Sequence, residues 1–363
     1  MKILHVINDL ETAGAQKVVL DLACSIKEAG NDVQIGVLVY GETPFTKMAK
    51  DMGIEVIPVS SSNNRNDYHH VFNLKKLMKK YDIVHSHLFP AQYFVAAAKC
   101  LDRSLPPIIT TEHNTTNRRR GKIPYKWIDK FIYKQYDSII NCSEEAKASF
   151  SRSFPSLSSG CIANGVNIKK IANSEPYSKK DIIDSGDNEA ILIGMIARFQ
   201  YPKRQDIVVE SLANLPDNFH ALFIGDGQTR PEVEALAKRL NVYDRCHFLG
   251  IRQDVGKILR TCDITCLISE HEGLSLSSIE CMAAGKPFIG SRVSGITGIT
   301  EGYGILINND SNILAETVTE LVKDNRMEEV GKRCQERAAD FSLDKCAKKY
   351  LEVYAALLNK NSH

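Results

Sequence analysis

Long apolar runs are missing from this sequence of 363 residues. Its longest ones are a handful of residues, as in Ile191–Ile193, whereas a helix that crosses a bilayer needs about 20. The N-terminus begins like a secretion signal, but His5 interrupts its apolar stretch and Asn8 and Asp9 end it. No cleavage site of small residues follows. The sequence therefore predicts a first buried strand, no transmembrane helix and a cytoplasmic protein.

An excess of charge of one sign is missing as well. The chain has 46 basic and 44 acidic residues, a net charge of +2, so its overall electrostatics do not favour nucleic acid as a partner. Hydrophobic residues make up 43% and charged residues 25%, which excludes a disordered chain, a collagen and a coiled-coil rod. At about 150 residues per domain, the length predicts two domains.

Disulfides and metal clusters are not indicated by the ten cysteines. A chain of this length does not need disulfides to hold its core, and most of the cysteines lie among apolar or small residues. We interpret the one close pair, Cys262 and Cys266, as two residues on the same side of a strand rather than as zinc ligands. A His-Glu-x-x-His motif is absent. We expect neither a metal nor a cofactor.

Short apolar runs alternate with stretches of helical period, which is typical of βαβ units and of a mainly parallel sheet. The strands predicted for the first half are Ile3–Ile7, Val33–Val39, Glu55–Val59, Asp82–His85, Ile108–Thr111 and Ser138–Cys142. Those of the second half are Ile191–Ile196, Ala221–Gly225, Cys246–Leu249, Ile264–Ile268, Pro287–Gly290 and Gly304–Ile307. The sequence thus predicts an α/β protein made of two doubly wound, Rossmann-like domains.

The predicted domains are residues 1–168 and 189–342, separated by a linker over residues 169–188. The linker is assigned on its content of Lys, Ser, Asp and Asn and its few large apolar residues. A last helix from about Leu343 has Tyr350, Leu351, Tyr354 and Leu358 at helical spacing. From periodicity alone, this helix either completes the second domain or packs across the first.

In a doubly wound sheet, ligands bind outside the carboxyl ends of the strands, so two facing domains predict a site in the cleft between them. One such end leads through Glu272 and Gly273 into a helix that contains Glu280. If most of the gap is helical, the two carboxylates lie about 10 Å apart along the axis, a span that suits two sets of hydroxyls around a diphosphate. Free amides at a helix N-terminus also bind anions. An ordinary acidic first turn remains the alternative.

A second strand end places Arg198 and Lys203 in one short loop. Arg provides a rigid fork for phosphate and Lys a mobile point charge. Two solvated surface charges are the alternative interpretation. The same residue types at strand ends recur along the chain, and the segments of interest are Thr12–Gln16, Asp82–His87, Thr111–Asn114, Asn164–Val166, Gly225–Gly227 and His247–Gly250.

In order and spacing, these motifs resemble those of the retaining nucleotide-sugar glycosyltransferases of GT-B fold, family four, the bacterial polysaccharide and lipopolysaccharide type. The resemblance covers nearly the whole chain. It implies an acceptor-binding first domain, a donor-binding second domain, and a helix 343–363 that crosses back to the first. It also implies that Arg198 and Lys203 neutralise the donor diphosphate, that Glu280 binds the ribose, and that Glu272 holds the transferred sugar.

The resemblance implies roles for further residues. The catalytic set would be Arg198, Lys203, Glu272 and His113. The other donor-binding residues would be Gly14, Gly225, Ile251, Arg252, Gly273, Leu274 and Ser275. His87 and Asn114 would lie on the acceptor side. For His87 and His113, a satisfied cap or core histidine remains the alternative. This chain departs from the family at Ala13, at Leu274–Ser275, at Gly298 and at Arg204.

The expected reaction moves a hexose or N-acetylhexosamine from a nucleoside diphosphate, with UDP favoured by family frequency, to a saccharide or lipid-linked saccharide. Such reactions build polysaccharide, lipopolysaccharide or capsule. The family expectation is retention of configuration without a metal. A sugar-nucleotide epimerase of the same fold and a non-catalytic sugar-nucleotide binder are the alternatives. A nicotinamide dehydrogenase is disfavoured because no complete G-x-G-x-x-G motif is present.

A basic segment of the first domain suggests a membrane surface. Arg118, Arg119 and Arg120 precede a predicted helix with Lys126 and Lys130 on one face. Its other face has Ile128, Phe131 and Ile132, with Trp127, the only tryptophan, near the edge. A solvated basic face is one interpretation. Contact with anionic lipid headgroups at the inner face of the membrane is the other.

Overall fold

The computed structural model describes residues 1–11, 13–113, 125–183 and 189–361. The chain divides into two compact units, of which the first is Met1–Gly165 with Leu343–His363 and the second is Val166–Ser342. Each unit has an α/β architecture around one parallel sheet. The units are described one at a time below.

The first unit contains a seven-stranded sheet in the order β3-β2-β1-β4-β5-β6-β7, with every neighbouring pair parallel. Its strands are β1 (Lys2–Ile7), β2 (Asp32–Val37), β3 (Glu55–Pro58), β4 (Ile83–His87), β5 (Ile108–Glu112), β6 (Ser138–Asn141) and β7 (Gly160–Cys161). Its helices up to this point are α1 (Gly14–Glu28), α2 (Pro44–Asp51), α3 (His69–Met78), α4 (Ala91–Leu101), α5 (Tyr125–Tyr133) and α6 (Glu144–Ser153). Apolar clusters cover both faces of the sheet.

The second unit contains a six-stranded parallel sheet in the order β10-β9-β8-β11-β12-β13. Its strands are β8 (Ile191–Ile196), β9 (Phe219–Ile224), β10 (Cys246–Gly250), β11 (Ile264–Leu267), β12 (Phe288–Ser291) and β13 (Ile305–Ile307). Its helices are α7 (Ile168–Ala172), α8 (Gln205–Leu212), α9 (Arg230–Arg239), α10 (Val255–Thr261), α11 (Leu276–Ala283), α12 (Ser294–Thr300), α13 (Ser311–Lys323) and α14 (Met327–Ala338). The strand order reverses between β8 and β11, which is the doubly wound pattern that the apolar runs predicted.

The described part of the predicted linker is folded into the second unit. Residues 168–172 form α7, which packs on α10 and α11. Further along, Ile183 is fully buried, and Lys179 donates to the carbonyl of Ala190 at 2.6 Å. Polar composition misled the prediction because a few apolar residues are enough to anchor a short segment.

Two other differences from the sequence analysis concern local structure. Cys262 does not share a strand with Cys266, because it follows the last residue of α10 and its thiol donates to the carbonyl of Ile258 at 3.3 Å. Both cysteines are fully buried. The short strand β7 was not predicted. Two strand residues are too few to show an alternating pattern.

The last helix, α15 (Leu343–Asn361), belongs to the first unit. It packs along α1, and Tyr350 and Tyr354 are buried in the same apolar cluster as β1. Gly165 lies against its first turn, where a Cβ on Gly165 would stand 2.6 Å from the Cα of Leu343. A side chain at position 165 would therefore push the helix away.

Among the described residues, none of the helices combines the length and the apolar character that crossing a bilayer requires.

Candidate active site

The carboxyl edge of the second sheet gathers the loops that the sequence singled out. Because all of its strands are parallel, the loops after β8, β9, β10 and β11 start at the same edge. Arg198 and Lys203 follow β8, the segment Gly225–Gly227 follows β9, Ile251 and Arg252 follow β10, and Glu270–Ser275 follows β11. Strands β8 and β11 are direct neighbours. The sheet thus brings the two cations and the acidic segment to adjacent strand ends.

Lys203 and Glu272 form an ion pair that joins these two loops. Their side chains are only 17% and 13% exposed. The backbone supports the pair, because Lys203 forms a bridge with Ser269 and the amide of Glu270 donates to the carbonyl of Pro202 at 3.0 Å. An ammonium group and a carboxylate are thus held together within a few ångströms of each other, although 69 residues separate them.

Arg204, the extra cation of this loop, has partners of its own. Its guanidinium donates to Asp206 and to Glu270, and the hydrogen bonds with Asp206 raise its pKa above the usual value. Arg198 is exposed at the start of the loop, and its carbonyl accepts a hydrogen bond of 2.9 Å from Gln205 Nε2. Arg204 is therefore held by acids from its own segment and from the loop after β11.

The glycines after β9 have a packing role. Gly225 and Gly227 have φ angles of 138° and 154°, in the region where a Cβ is strained. A Cβ on Gly225 would lie 2.1 Å from the carbonyl oxygen of Ala197, and one on Gly227 would lie 2.4 Å from that of Phe199. This close contact between the two loops explains both glycines without reference to a ligand.

The helix that carries Glu280 covers only part of the segment between Glu272 and Glu280. Ser275 is the N-cap of α11, and its hydroxyl accepts from the amide of Ser278 at 3.3 Å. Helix α11 starts at Leu276, so only the last part of the gap is helical. The axial rise of a helix therefore applies only to the stretch that leads to Glu280, and Glu272 belongs to the loop.

Two polar side chains and one glycine, which the sequence analysis missed, hold this loop in place. The hydroxyl of Ser291 accepts from the amide of Ser269 at 2.8 Å and donates to Asn309 Oδ1 at 2.5 Å, while Asn309 Nδ2 donates to the carbonyl of Ser269 at 3.0 Å. A Cβ on Gly295 would lie 1.5 Å from the carbonyl oxygen of Gly273. Residues at the end of β12 and in the segments that follow it thus hold the loop of Glu272 in place. These contacts could not be predicted from the sequence, because the residues are far apart in the chain.

In the first unit, the segment around Gly14 opens a helix. Helix α1 starts at Gly14, and Ala13 is its N-cap. Apart from its chain neighbours and the adjacent backbone of α1, no described atom lies within 4 Å of a Cβ placed on Gly14, and the residue has no left-handed φ angle. Nothing in the described packing of the first unit therefore demands glycine here, in contrast to Gly225 and Gly227.

Four histidines cluster at the strand ends of the first sheet. His5 on β1 and His85 on β4 are register partners, His87 is two residues beyond His85, and His113 follows β5. His5 Nδ1 lies 3.0 Å from His87 Nε2, and His87 Nδ1 lies 3.1 Å from His113 Nε2. Burial lowers the pKa of His5 to about 3 and that of His113 to about 4, and it holds those of His85 and His87 well below the usual value. All four rings are therefore neutral at pH 7.

His85 connects this cluster to the last helix. Its Nδ1 lies 2.7 Å from the hydroxyl of Tyr354, and its Nε2 lies 2.8 Å from Oγ1 of Thr111. Thr111 Oγ1 is in turn 2.9 Å from the hydroxyl of Tyr350. The helical spacing of the two tyrosines was noted from sequence, but their partners follow only from the fold.

The ring nitrogens of His5, His85 and His87 lie within 4.8 Å of one another, close enough to suggest a metal site. In this arrangement, both nitrogens of His85 and both of His87 are already hydrogen bonded. Of the six ring nitrogens, only His5 Nε2 has no partner among the described residues. The cluster therefore has the geometry of hydrogen-bonded neutral rings, and three free lone pairs do not converge on one point.

Helix α5 presents an apolar surface that the sequence placed differently. Trp127, Ile128 and Phe131 are 69%, 45% and 57% exposed, whereas Ile132 is buried with Asp129 and Tyr133. The predicted apolar face of this helix is therefore covered only at Ile132, and Ile128 and Phe131 are exposed. Lys126 and Lys130 lie on the same helix. Asn114 and Arg118–Arg120 lie outside the described residues.

Two family models match the chain. Residues 12–170 match the model described as Glycosyltransferase Family 4, and residues 178–341 match the one described as Glycosyl transferases group 1. Together with the two parallel sheets, these matches show the class of the protein. The chain belongs to the glycosyltransferases of GT-B fold.

Similar proteins support this assignment. An N-acetyl-alpha-D-glucosaminyl L-malate synthase of Bacillus anthracis is 27% identical over 299 residues, which are 78% of this chain and 76% of that protein. A GalNAc-alpha-(1->4)-GalNAc-alpha-(1->3)-diNAcBac-PP-undecaprenol alpha-1,4-N-acetyl-D-galactosaminyltransferase of Campylobacter jejuni is 24% identical over 381 residues and covers 99% of both chains. The crystal structure of HepE from Anabaena in complex with UDP and glucose has a TM-score of 0.84 at 19% identity, with 98% of this chain and 99% of that one covered.

Proposed function

We propose that this glycosyltransferase moves a hexose or N-acetylhexosamine from a nucleoside-diphosphate sugar to a saccharide acceptor, with retention of anomeric configuration. The observation that carries the proposal is the Lys203–Glu272 pair, placed with Arg198 at the carboxyl edge of the second sheet. This is the edge where parallel α/β sheets bind ligands. UDP is the proposed nucleotide, and the UDP and glucose complex of the structurally similar HepE is in line with it.

In this proposal, the protein stabilises the charge that grows on the leaving diphosphate. Arg198 and Lys203 supply fixed positive charge, which lowers the barrier most when it is placed before the reaction begins. Glu272 holds Lys203 in position, and its carboxylate also accepts a hydrogen bond from a hydroxyl of the transferred sugar. Glu280, on helix α11, binds the ribose hydroxyls. Gly273, Leu274 and Ser275 contribute backbone amides beside the first turn of α11.

The remaining roles are proposed on the resemblance. Gly225, Ile251 and Arg252 contact the nucleotide, and Gly14 approaches a phosphate. His113 faces the transferred sugar, and His87 and Asn114 lie toward the acceptor. We propose that no metal or cofactor is needed, because two cations already offset the charge of the leaving group. The departing phosphate oxygen then takes the proton of the acceptor hydroxyl.

Saturation-transfer NMR against a panel of UDP-, GDP- and ADP-sugars tests the donor. We expect one UDP-sugar to show contacts from both its nucleotide and its sugar protons. NMR of the product made with a saccharide acceptor then reports the anomeric configuration. If none of the sugar nucleotides receives saturation from the protein, the proposal is refuted. A changed sugar nucleotide formed without any acceptor would favour the epimerase alternative.

We propose further that the acceptor is lipid-linked and is reached at an anionic membrane surface. The specific observation is helix α5, where Trp127, Ile128 and Phe131 are exposed next to Lys126 and Lys130. Exposed aromatic side chains beside lysines fit the boundary between acyl chains and anionic headgroups. The Campylobacter relative acts on an undecaprenol-linked saccharide by name, whereas the Bacillus relative is named for L-malate. The exposed surface of α5 favours the former.

Flotation with liposomes that contain anionic lipid tests this surface. We expect the wild type to float and a Trp127→Ala/Phe131→Ala variant to lose most of its binding, and replacement of Arg118, Arg119 and Arg120 by Glu should weaken binding as well. Replacement of Lys348 and Lys349 by Glu is the control, because these lysines are exposed on α15 of the same unit. Equal flotation of all four proteins would remove the proposed membrane contact.

A further inference from the structure

Three imidazole rings of the first unit form one hydrogen-bonded chain. It runs from His5 Nδ1 to His87 Nε2 and from His87 Nδ1 to His113 Nε2, at 3.0 and 3.1 Å. The two terminal nitrogens, Nε2 of His5 and Nδ1 of His113, are buried without a hydrogen-bond partner among the described residues. His5 is fully buried, and His113 is the more accessible end. The chain thus leads from the interior of the sheet to its carboxyl edge.

The hydrogen bonds restrict where the three rings carry their protons. A neutral imidazole has one N–H, and its other nitrogen accepts. Both bonds exist together only if all three rings are protonated at Nδ1 or all three at Nε2. If one ring differs, two lone pairs or two hydrogens face each other. The lowered pKa of each ring, which follows from burial, keeps all three in the neutral form.

The ends of the chain decide between these two arrangements. Protonation at Nδ1 leaves the unpaired N–H on His113 and a bare lone pair on His5. Protonation at Nε2 leaves the unpaired N–H on His5, which is fully buried. An unpaired N–H is costly in the interior. Nδ1 of His113 is itself buried, but the residue is only partly buried and follows β5 at the carboxyl edge of the sheet, the side from which a substrate oxygen would approach and accept from it. The arrangement with Nδ1 protonated is therefore favoured.

We propose that His5 and His87 are positioning residues that fix His113 in its Nδ1-protonated form, so that His113 donates a hydrogen bond to a substrate oxygen. The role of His113 toward substrate rests on the proposed function. In this form, His113 Nδ1 has no lone pair with which to take a proton. His113 therefore binds and orients the substrate, and the acceptor proton goes elsewhere.

His85 lies beside this chain but is not a member of it. Its ring centroid is 4.0 Å from that of His87, and its nitrogens bond to the hydroxyls of Tyr354 and Thr111. Hydroxyls both donate and accept, so either neutral tautomer of His85 can hydrogen bond to both of these partners. His85 therefore packs against the chain without setting its direction.

Long-range ¹H–¹⁵N correlation spectra of the full chain with ¹⁵N-labelled histidine test the assignment directly. At pH 7.5 and without substrate, we expect His5, His87 and His113 each to show a protonated Nδ1 and an unprotonated Nε2. Single substitutions assign the signals. Protonation at Nε2 in these rings, a mixture of the two forms, or a charged ring would overturn the inference.

Substitutions of His5 test the effect on the reaction. His5→Leu removes the N–H that His87 Nε2 accepts, so the His113 ring should shift toward a mixture of forms. We expect kcat to fall about tenfold or more, on the scale of losing a group that orients a functional histidine, while Kd for UDP stays within about twofold. His5→Asn keeps an N–H near the position of Nδ1 and should retain most of the activity.

The matched control is His70→Leu. His70 is an equally buried ring of the same unit, bonded to Ser60 and to the carbonyl of Asn64, and its loss should leave the His113 nitrogen shifts unchanged. If His5→Leu behaves like this control in both shifts and kcat, the chain has no positioning role. The spectra do not depend on turnover. Mixed forms in an active transferase refute this inference alone, whereas the expected spectra without any transfer refute the proposed function.

Discussion

Both sheets have a group of polar residues at their strand ends, but the two groups differ in burial and in how their members are paired. At the carboxyl edge of the second sheet, Lys203 and Glu272 lie on loops and form an ion pair with each other. At the strand ends of the first sheet, His5, His85 and His87 lie on the strands themselves and are fully buried and neutral. The two loops of the second sheet bring opposite charges together as a pair, whereas burial lowers the pKa of the histidines of the first sheet and leaves hydrogen bonds to fix their geometry.

The largest expected effect comes from acid, which should act on the first unit. As pH falls below 6.5, the unfolded chain takes up protons on His5, His85, His87 and His113 that the folded chain excludes, so the stability present above pH 6.5 is lost toward pH 4. Asp129 acts in the opposite direction, because burial raises its pKa to about 6. We expect the first unit to lose about 5 kcal/mol between pH 7.5 and pH 5.5, because the four histidines contribute about 1.4 kcal/mol each and Asp129 offsets about 1 kcal/mol.

Urea unfolding followed by circular dichroism at the two pH values measures this loss. His5→Leu should reduce the pH dependence by about one proton, since it removes one of the four excluded groups. A stability that does not change between the two pH values would show that the buried rings bind protons in the folded state. The proposed difference between the two sheets, with neutral buried histidines in the first and an ion pair in the second, would then be wrong.

A smaller effect compares glycines of the two units. Gly227→Ala should destabilise the second unit by about 3 kcal/mol or more, since its Cβ meets the Phe199 carbonyl at a left-handed φ angle. Gly14→Ala has open space and starts a helix, so we expect a stability change within about 0.5 kcal/mol and a loss confined to donor binding. Thermal unfolding and UDP titration separate the two. A large destabilisation by Gly14→Ala would contradict the open packing described for that position.

The smallest effect concerns charge on the second sheet. We expect Lys203→Ala and Glu280→Ala each to lower turnover about 10²-fold, the scale of losing one charge-stabilising contact, which is about 2.7 kcal/mol. Lys179→Ala is the control, because it breaks a comparable half-buried ion pair, with Asp263, in the same unit. Steady-state kinetics with the sugar nucleotide provide the comparison. Near-normal turnover in both site variants would refute the assigned roles.

Local patterns predicted much of the fold and part of the candidate site. The apolar runs located twelve strands because most of these strands are largely buried and bounded by turn residues. The strand-end positions of Arg198, Lys203 and Glu272 could also be inferred from chain order. The brace formed by Ser269, Ser291 and Asn309 could not, because its members come from three separate segments. Likewise, the exposed side of α5 depends on which neighbours cover it, and the periodicity of a single helix does not contain that information.

By itself, the amino-acid order determined the rhythm of strands and helices, the two halves of the chain, and the residue types that follow each strand. Hydrophobic periodicity is a local property, which is why it can be recognised without coordinates. Tertiary structure decided which strands are neighbours, that α15 packs with the first unit, and that His5, a residue conspicuous in sequence only for interrupting an apolar run, touches His87. Those facts depend on contacts between residues far apart in the chain, and hydrogen bonds between neutral rings exist only where the folded sheet removes them from water.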